Sequence, residues 1–156
     1  MKNPQLGPHD LHMVVSGQDN TAKIFNATGK LLRGISALPH GVGGRDWTQH
    51  NADTPPGLYL LGDIVPTLTT DPQNIHDSYG PGYIYLVEQE GQESKYGRGG
   101  CGVHGGRQAG VEHPELKLTE GCIRIFDEDW LKLANSLKWT KKTGGQVWVT
   151  VIQAIQ

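Results

Sequence analysis

The chain has 156 residues, enough for one domain and too few for two of ordinary size. Hydrophobic residues make up 36% and charged residues 19%, which excludes a highly charged disordered chain. With 14 basic and 16 acidic residues the net charge is −2, so there is no global basic field to hold a nucleic-acid backbone or an anionic membrane.

The first ten residues, Met1 to Asp10, carry one Lys, two Pro and no apolar run, and read as an extension without a signal peptide. No apolar run anywhere approaches the ~20 residues of a membrane helix. The 22 Gly and 9 Pro point to many turns and short strands rather than long helices. Leu11 to Val15 is the first strand. Thr21 to Asn26 and Lys30 to Ile35 flank Ala27-Thr28-Gly29 and form a hairpin, with Gly29 free to take a positive φ. A long loop from Leu38 to Pro56 follows, and Pro55-Pro56-Gly57 stiffens the approach to a strand over Leu58 to Leu61. Ile64 to Pro81 reads as irregular, Tyr83 to Gln89 as a strand, and Glu90 to Gly100 as a surface loop or lid. Short strands are expected around Val103, from Cys122 to Ile125, and from Gln146 to Ile152.

One helix is expected after Asp127, which is read as its N-cap, with Glu128 and Asp129 suiting the positive helix start. Trp130, Leu133, Ala134 and Leu137 repeat at the spacing of a buried helical stripe. Gly144-Gly145 ends it. The fold class is mainly β with one packed α-helix.

The richest chemistry lies in Thr119-Glu120-Gly121-Cys122-Ile123-Arg124-Ile125. Side chains alternate along a strand, so Ile123 and Ile125 anchor one face while Cys122 and Arg124 project from the other, with Cα atoms about 6.6–6.8 Å apart. A nearby guanidinium favours a thiolate and can hold a carboxylate. Gly121 lets a substrate carbonyl approach the backbone N–H groups beside the sulfur, the usual material of an oxyanion hole. A thiol also needs a base, and His104 in Val103-His104-Gly105-Gly106 is the best placed in sequence.

Other patterns weigh less. Gly97-Arg98-Gly99-Gly100-Cys101-Gly102 fits G-x-G-x-x-G, but no helix opens after it, so a dinucleotide site is disfavoured. Cys101, His104, His113 and Cys122 include the residue types of a zinc site. Cys101 and His104 would face opposite sides of a regular strand, so zinc is disfavoured too. Cys101 is read as a packing thiol. One disulfide between Cys101 and Cys122 and two reduced thiols fit equally well. His40, His50 and Asn51 are read as solvated loop residues, Trp47, Trp139 and Trp148 as core or rim, and Tyr79 and Tyr83 as aromatics near the cleft whose orientation is open.

These motifs resemble one family. Thr119 to Arg124 looks like the Ser/Thr-x-Gly-Cys-Val/Ile-Arg signature of the L,D-transpeptidase (YkuD-type) catalytic domain. His104-Gly105, 18 residues upstream of Cys122, matches its His-Gly element, and Thr54-Pro55-Pro56-Gly57-Leu58-Tyr59 matches its Thr-Pro-x-Gly-x-Phe/Tyr lead-in to a strand. The resemblance implies a β-sandwich with a helix beside it, the catalytic domain running from residue 11 to 154. It implies a cysteine acyltransferase acting on peptidoglycan stem peptides. Cys122 would attack the L-centre–D-amino acid bond of a tetrapeptide, with His104 as base and Gly105 orienting the imidazole. Gly121 and Cys122 would form the oxyanion hole, and Arg124, Glu120 and Thr119 would contact substrate or set the active-site strand. An amine acceptor would give transpeptidation; water would give L,D-carboxypeptidase activity, as in recycling of soluble muropeptides. A wall-binding module with a dead site is the reading from another class. No metal or cofactor is implied, and carbapenem-type inhibitors would acylate the thiol. The site of action would be the periplasm or wall if the chain is exported or truncated, and otherwise the cytoplasm.

Glu120 departs from the family, which usually has His or Lys there. A carboxylate beside the sulfur opposes thiolate formation. Glu120→His is expected to move the alkaline optimum of the pH–rate profile downward; an unchanged profile removes Glu120 from the mechanism.

Overall fold

Alternation along each strand sends one set of side chains into the core, and this pattern organises the whole molecule. The computed structural model describes residues 3–67, 78–106 and 115–153. Its elements are β1 (Leu11–Ser16), β2 (Thr21–Asn26), β3 (Leu31–Leu38), β4 (Gly57–Pro66), β5 (Gly82–Glu88), α1 (Gln92–Lys95), β6 (Gly102–His104), β7 (Ile123–Ile125), α2 (Asp127–Lys142) and β8 (Val147–Ile152).

The strands form a closed barrel in the order β1-β2-β3-β7-β6-β5-β4-β8. This corrects the sandwich expected above. β8 pairs in parallel with β1 and antiparallel with β4, while the three-residue strands β6 and β7 join the β5 and β3 sides. With both seams joined, the ladder has no open edge. Met13, Val15, Ile84, Val103, Ile123, Ile125, Val147, Val149 and Val151 share the core, completely or almost completely buried. Burying each such aliphatic side chain contributes roughly 1.5–3 kcal/mol.

The expected hairpin is present, with a register shift between Ile24 and Phe25. The expected helix is present as well, with Trp130, Leu133, Ala134 and Leu137 buried. Trp130 donates its indole N–H to the Val103 carbonyl at 3.0 Å, tying α2 to β6. Among the described residues no helix is long and apolar enough to cross a membrane.

Several expectations change. β4 does not stop at Leu61 but continues to Pro66 through an irregularity between Leu61 and Ile64, where Gly62 and Asp63 hide the alternation. Asp127 is not the N-cap. Phe126 holds that position without a side-chain bond, and the Asp127 carboxylate instead accepts the Gly106 N–H at 2.8 Å. The segment from Glu90 to Gly100 is not a free lid. It contains α1, whose Gln92 is buried and donates to the Leu58 carbonyl, and the Glu88 carboxylate accepts the N–H groups of Glu93 and Ser94. Trp139 is 67% exposed, neither core nor rim.

His40 is no solvated loop residue either. It is half-buried, with Nδ1 2.9 Å from the Asp53 carboxylate and Nε2 2.8 Å from the Gly17 carbonyl. Asp53 also accepts the Gly41 N–H, so the loop from 39 to 56 is folded onto the barrel. His50 is exposed as expected.

Candidate active site

β6 and β7 are each three residues long. They run parallel with Val103 opposite Ile123 and His104 opposite Arg124. Val103 and Ile123 anchor the pair in the core, so His104, Cys122 and Arg124 emerge together on the other side. These three line one cavity of about 690 Å³, along with Ser78, Tyr79, Lys117, Leu118, Thr119, Glu120 and Val42. Lys117 and Glu120 are exposed charges of opposite sign on its rim, beside the exposed apolar side chains of Val42 and Leu118.

The imidazole is held in one tautomer. His104 Nδ1 lies 2.8 Å from the Gly105 carbonyl and must carry the proton, which leaves Nε2 as the basic nitrogen. Arg124 Nε donates to the same carbonyl at 3.2 Å. Burial is the largest influence on His104 and, despite the help of the Gly105 bond, lowers its pKa to about 4, with the Arg124 charge acting in the same direction. His104 is therefore neutral near pH 7. Tyr83 stacks on the imidazole, ring centroids 5.8 Å apart, and Tyr79 meets it edge-on at 4.8 Å.

The sulfur has different partners. Cys122 Sγ is 3.2 Å from the Tyr83 hydroxyl and accepts a bond from the Gly102 N–H. The Tyr83 hydroxyl also donates to the Gly100 carbonyl. Burial raises the Cys122 pKa above that of an ordinary thiol, and the Tyr83 and Gly102 bonds pull it back only in part. Cys122 and His104 thus face one cavity as thiol and neutral imidazole, with Tyr83 touching both. The hydrogen bonds that these two side chains make in the structure go to Tyr83 and Gly102 and to Gly105, not to each other. Sequence reasoning left Tyr83 unoriented. Its place on β5, with Tyr83 paired to His104, is set by a ladder between distant segments.

The turn before the sulfur is internally bonded. Thr119 is buried; its hydroxyl donates to the Cys122 carbonyl at 2.7 Å and accepts the Gly121 N–H at 3.0 Å. The Gly121 N–H, expected as an oxyanion donor, is thus engaged within the turn, and Thr119 builds the turn rather than facing substrate with its hydroxyl. Thr54 explains why the Thr-Pro lead-in matters: its hydroxyl donates to the Gly121 carbonyl at 2.9 Å. Arg124 is 4% exposed and binds backbone, donating to the carbonyls of Lys117 at 3.0 Å and Ser78 at 3.0 Å besides Gly105. It sets the walls of the cavity. His40, His50 and Asn51 do not line it.

Cys101 and Cys122 are both free thiols in the structure, with no disulfide between them. Cys101 sits in the core at 3% exposure, on the face opposite His104, and burial followed by the nearby Glu93 pushes its pKa far up. Among the described residues no group of three or more His, Cys, Asp or Glu side chains is arranged to hold a metal; His113 lies outside them.

Solved structures match this barrel. L,D-transpeptidase 1 of Mycobacterium tuberculosis aligns with 92% of this chain and 62% of its own, at 16% identity and a TM-score of 0.51. The chain has the L,D-transpeptidase fold. Bd1075 of Bdellovibrio bacteriovorus aligns at TM-score 0.67 and 18% identity, and the helical cell shape determining protein Pgp2 of Campylobacter jejuni at 0.62 and 20%. Each covers 94% of this chain, which spans 48% of either protein's length. LdtMt1 in complex with imipenem aligns at 0.51 and 17% identity over 91% of this chain and 58% of its own. No family profile and no curated protein matches the sequence. Within the L,D-transpeptidase fold, this chain places its half-buried thiol at the cavity and its fully packed one in the core.

Brief treatment with iodoacetamide under native conditions is accordingly expected to modify Cys122 and spare Cys101, read by peptide mass mapping. Equal labelling of both would contradict the burial difference.

Proposed function

We propose that this chain is a cysteine acyltransferase acting on peptidoglycan stem peptides. The observation that carries this reading is a thiol and a neutral, tautomer-fixed imidazole on the wall of one cavity, within the L,D-transpeptidase fold. Cys122 Sγ attacks the carbonyl carbon of the stem's third, L-configured residue while His104 Nε2 takes the thiol proton. The resulting oxyanion is stabilised by the Cys122 N–H, the Gly121 N–H being taken by Thr119. His104 returns the proton to the departing amine. The C–N bond breaks, the terminal D-amino acid leaves, and a thioester to Cys122 remains. An amine of a second stem resolves the thioester to a cross-link, or water resolves it to a tripeptide. Neither step consumes a cofactor.

Lys117 and Glu120 on the rim suit a substrate bearing both a carboxylate and an ammonium. The imipenem complex of LdtMt1 supports a carbapenem as a covalent probe of Cys122. A dead wall-binding module has no use for a tautomer-fixed base facing a thiol.

Incubation with a tetrapeptide stem and an amine acceptor, read by mass, separates the outcomes. Joined stems indicate transpeptidation and tripeptide alone indicates carboxypeptidase activity. An unchanged substrate contradicts the proposal, as does activity that survives in Cys122→Ala.

The pH dependence follows from His104. Protonation removes the base, so kcat/KM is expected to fall as pH drops through about 4, where burial places this imidazole. An acid limb near 6.5, the value of an unperturbed histidine, would show that another group controls it.

A further inference from the structure

The sulfur is approached from one side by a segment the mechanism above does not use. Arg98, half-buried after α1, reaches across to the loop between β3 and β4. Its Nη1 donates to the carbonyls of Trp47 and Asp53, both at 3.1 Å, and its Nη2 donates to the Ala52 carbonyl at 3.0 Å. Tyr96 packs on Trp47 alongside, ring centroids 5.5 Å apart. The same guanidinium lies against the nucleophile turn. A Cβ placed on Gly121, which has φ 119°, would stand 2.2 Å from Arg98 Nη2. The φ of 119° is what calls for glycine before Cys122, and a Cβ there would also stand 3.1 Å from the Ala52 carbonyl oxygen, the same carbonyl that Arg98 Nη2 binds.

The chain just after Arg98 surrounds the thiol. Gly100 supplies the carbonyl that accepts the Tyr83 hydroxyl's hydrogen bond, and Gly102 supplies the N–H directed at the sulfur. Latching Arg98 therefore fixes three things at once: the turn, the Tyr83 hydroxyl and the Gly102 donor. Residues 97–102 are also held by backbone bonds, Gly97 N–H to the Ser94 carbonyl at 3.1 Å, Arg98 N–H to the Glu93 carbonyl at 2.7 Å and Leu86 N–H to the Cys101 carbonyl at 2.9 Å; the arginine's three bonds are the side-chain tie from this stretch to the loop at 47–53.

We propose that Arg98 is a positioning residue for the Cys122 thiol, latching residues 97–102 beneath the nucleophile turn and setting a fixed positive charge against it. The proposal rests on the thiol chemistry described above. Other charged or titratable groups around the sulfur are His104 on β6, Arg124 on β7, Tyr83 on β5, Glu120 in the turn, and Glu93 and Cys101 behind it. Arg124 and Arg98 both donate to backbone carbonyls, and Glu93 opposes a thiolate. Arg98 is a cation placed to offset it, and its charge lowers the Cys122 pKa, less than the Tyr83 and Gly102 bonds do.

The test needs no peptide. In a Cys101→Ala background, the rate of iodoacetamide alkylation of Cys122 is followed against pH for the parent, R98K and R98M. R98M, without the charge, is expected to raise the alkylation midpoint by about half a unit to one unit. R98K keeps the charge but not the planar fork. It is expected to hold the midpoint while turnover of a tetrapeptide falls about tenfold in kcat through misplacement. R98Q, which retains one donor, answers the same question should R98M fail to fold. A midpoint unmoved by both neutral variants overturns the electrostatic role, and parental kcat in R98K overturns the positioning role. If the parent alkylates normally but turns over no stem peptide, the functional reading fails while the alkylation comparison still decides the electrostatic role of Arg98.

Discussion

One backbone carbonyl carries the site. Gly105 oxygen receives both His104 Nδ1–H and Arg124 Nε–H. The first bond fixes which nitrogen of the imidazole is basic. The second brings a buried guanidinium whose other donors reach Lys117 and Ser78, holding the segments on either side of the cavity. The carbonyl itself is positioned by its neighbours: the Gly105 N–H donates to the Tyr79 carbonyl at 3.0 Å, and the Gly106 N–H meets Asp127 at the start of α2. A Cβ at 105 would stand 2.1 Å from Asp127 Oδ1, so a side chain there would displace the carboxylate that the Gly106 N–H donates to.

The barrel makes this arrangement possible. Parallel pairing of β6 with β7 puts His104 and Arg124 in register, and two residues earlier Cys122 leaves the same face. Val103, Ile123 and Ile125 are completely buried beneath them, so His104, Cys122 and Arg124 stand on a packed floor. Around this floor the polar side chains are committed to backbone partners: Thr54 and Thr119 to the nucleophile turn, Tyr59 to the Pro55 carbonyl, Arg98 to the loop beneath. Hydrogen bonds from buried donors to backbone carbonyls cost little and restrict much, since breaking one leaves an orphaned buried acceptor at about 1–3 kcal/mol.

Burial also decides the resting protonation. It disfavours the imidazolium and the thiolate alike, so the pair rests as two neutral groups. In the mechanism proposed above, such a pair transfers its proton during attack, unlike a preformed ion pair. The two cysteines illustrate the same force. Cys101 is shut in the core and its ionisation is strongly opposed; Cys122 has Tyr83 and Gly102 to offset the loss of water.

From the residues alone one could read the hairpin, the amphipathic helix, the pairing of Cys122 with Arg124 on one face, and the opposite placement of Cys101 and His104. All of these follow from periods of 2 or 3.6 within a few consecutive residues. The Thr54 motif was legible as a pattern, but its purpose was not, because the bond it makes spans 67 positions. Closure of the barrel, the capture of the Gly121 N–H by Thr119, the reach of Arg98 over 51 positions to Trp47 and the approach of Tyr83 to the sulfur were set by the tertiary structure. Local periodicity tells which way a side chain points. Which distant segment it meets there depends on how the strands pair around the barrel, and no stretch of neighbouring residues encodes that.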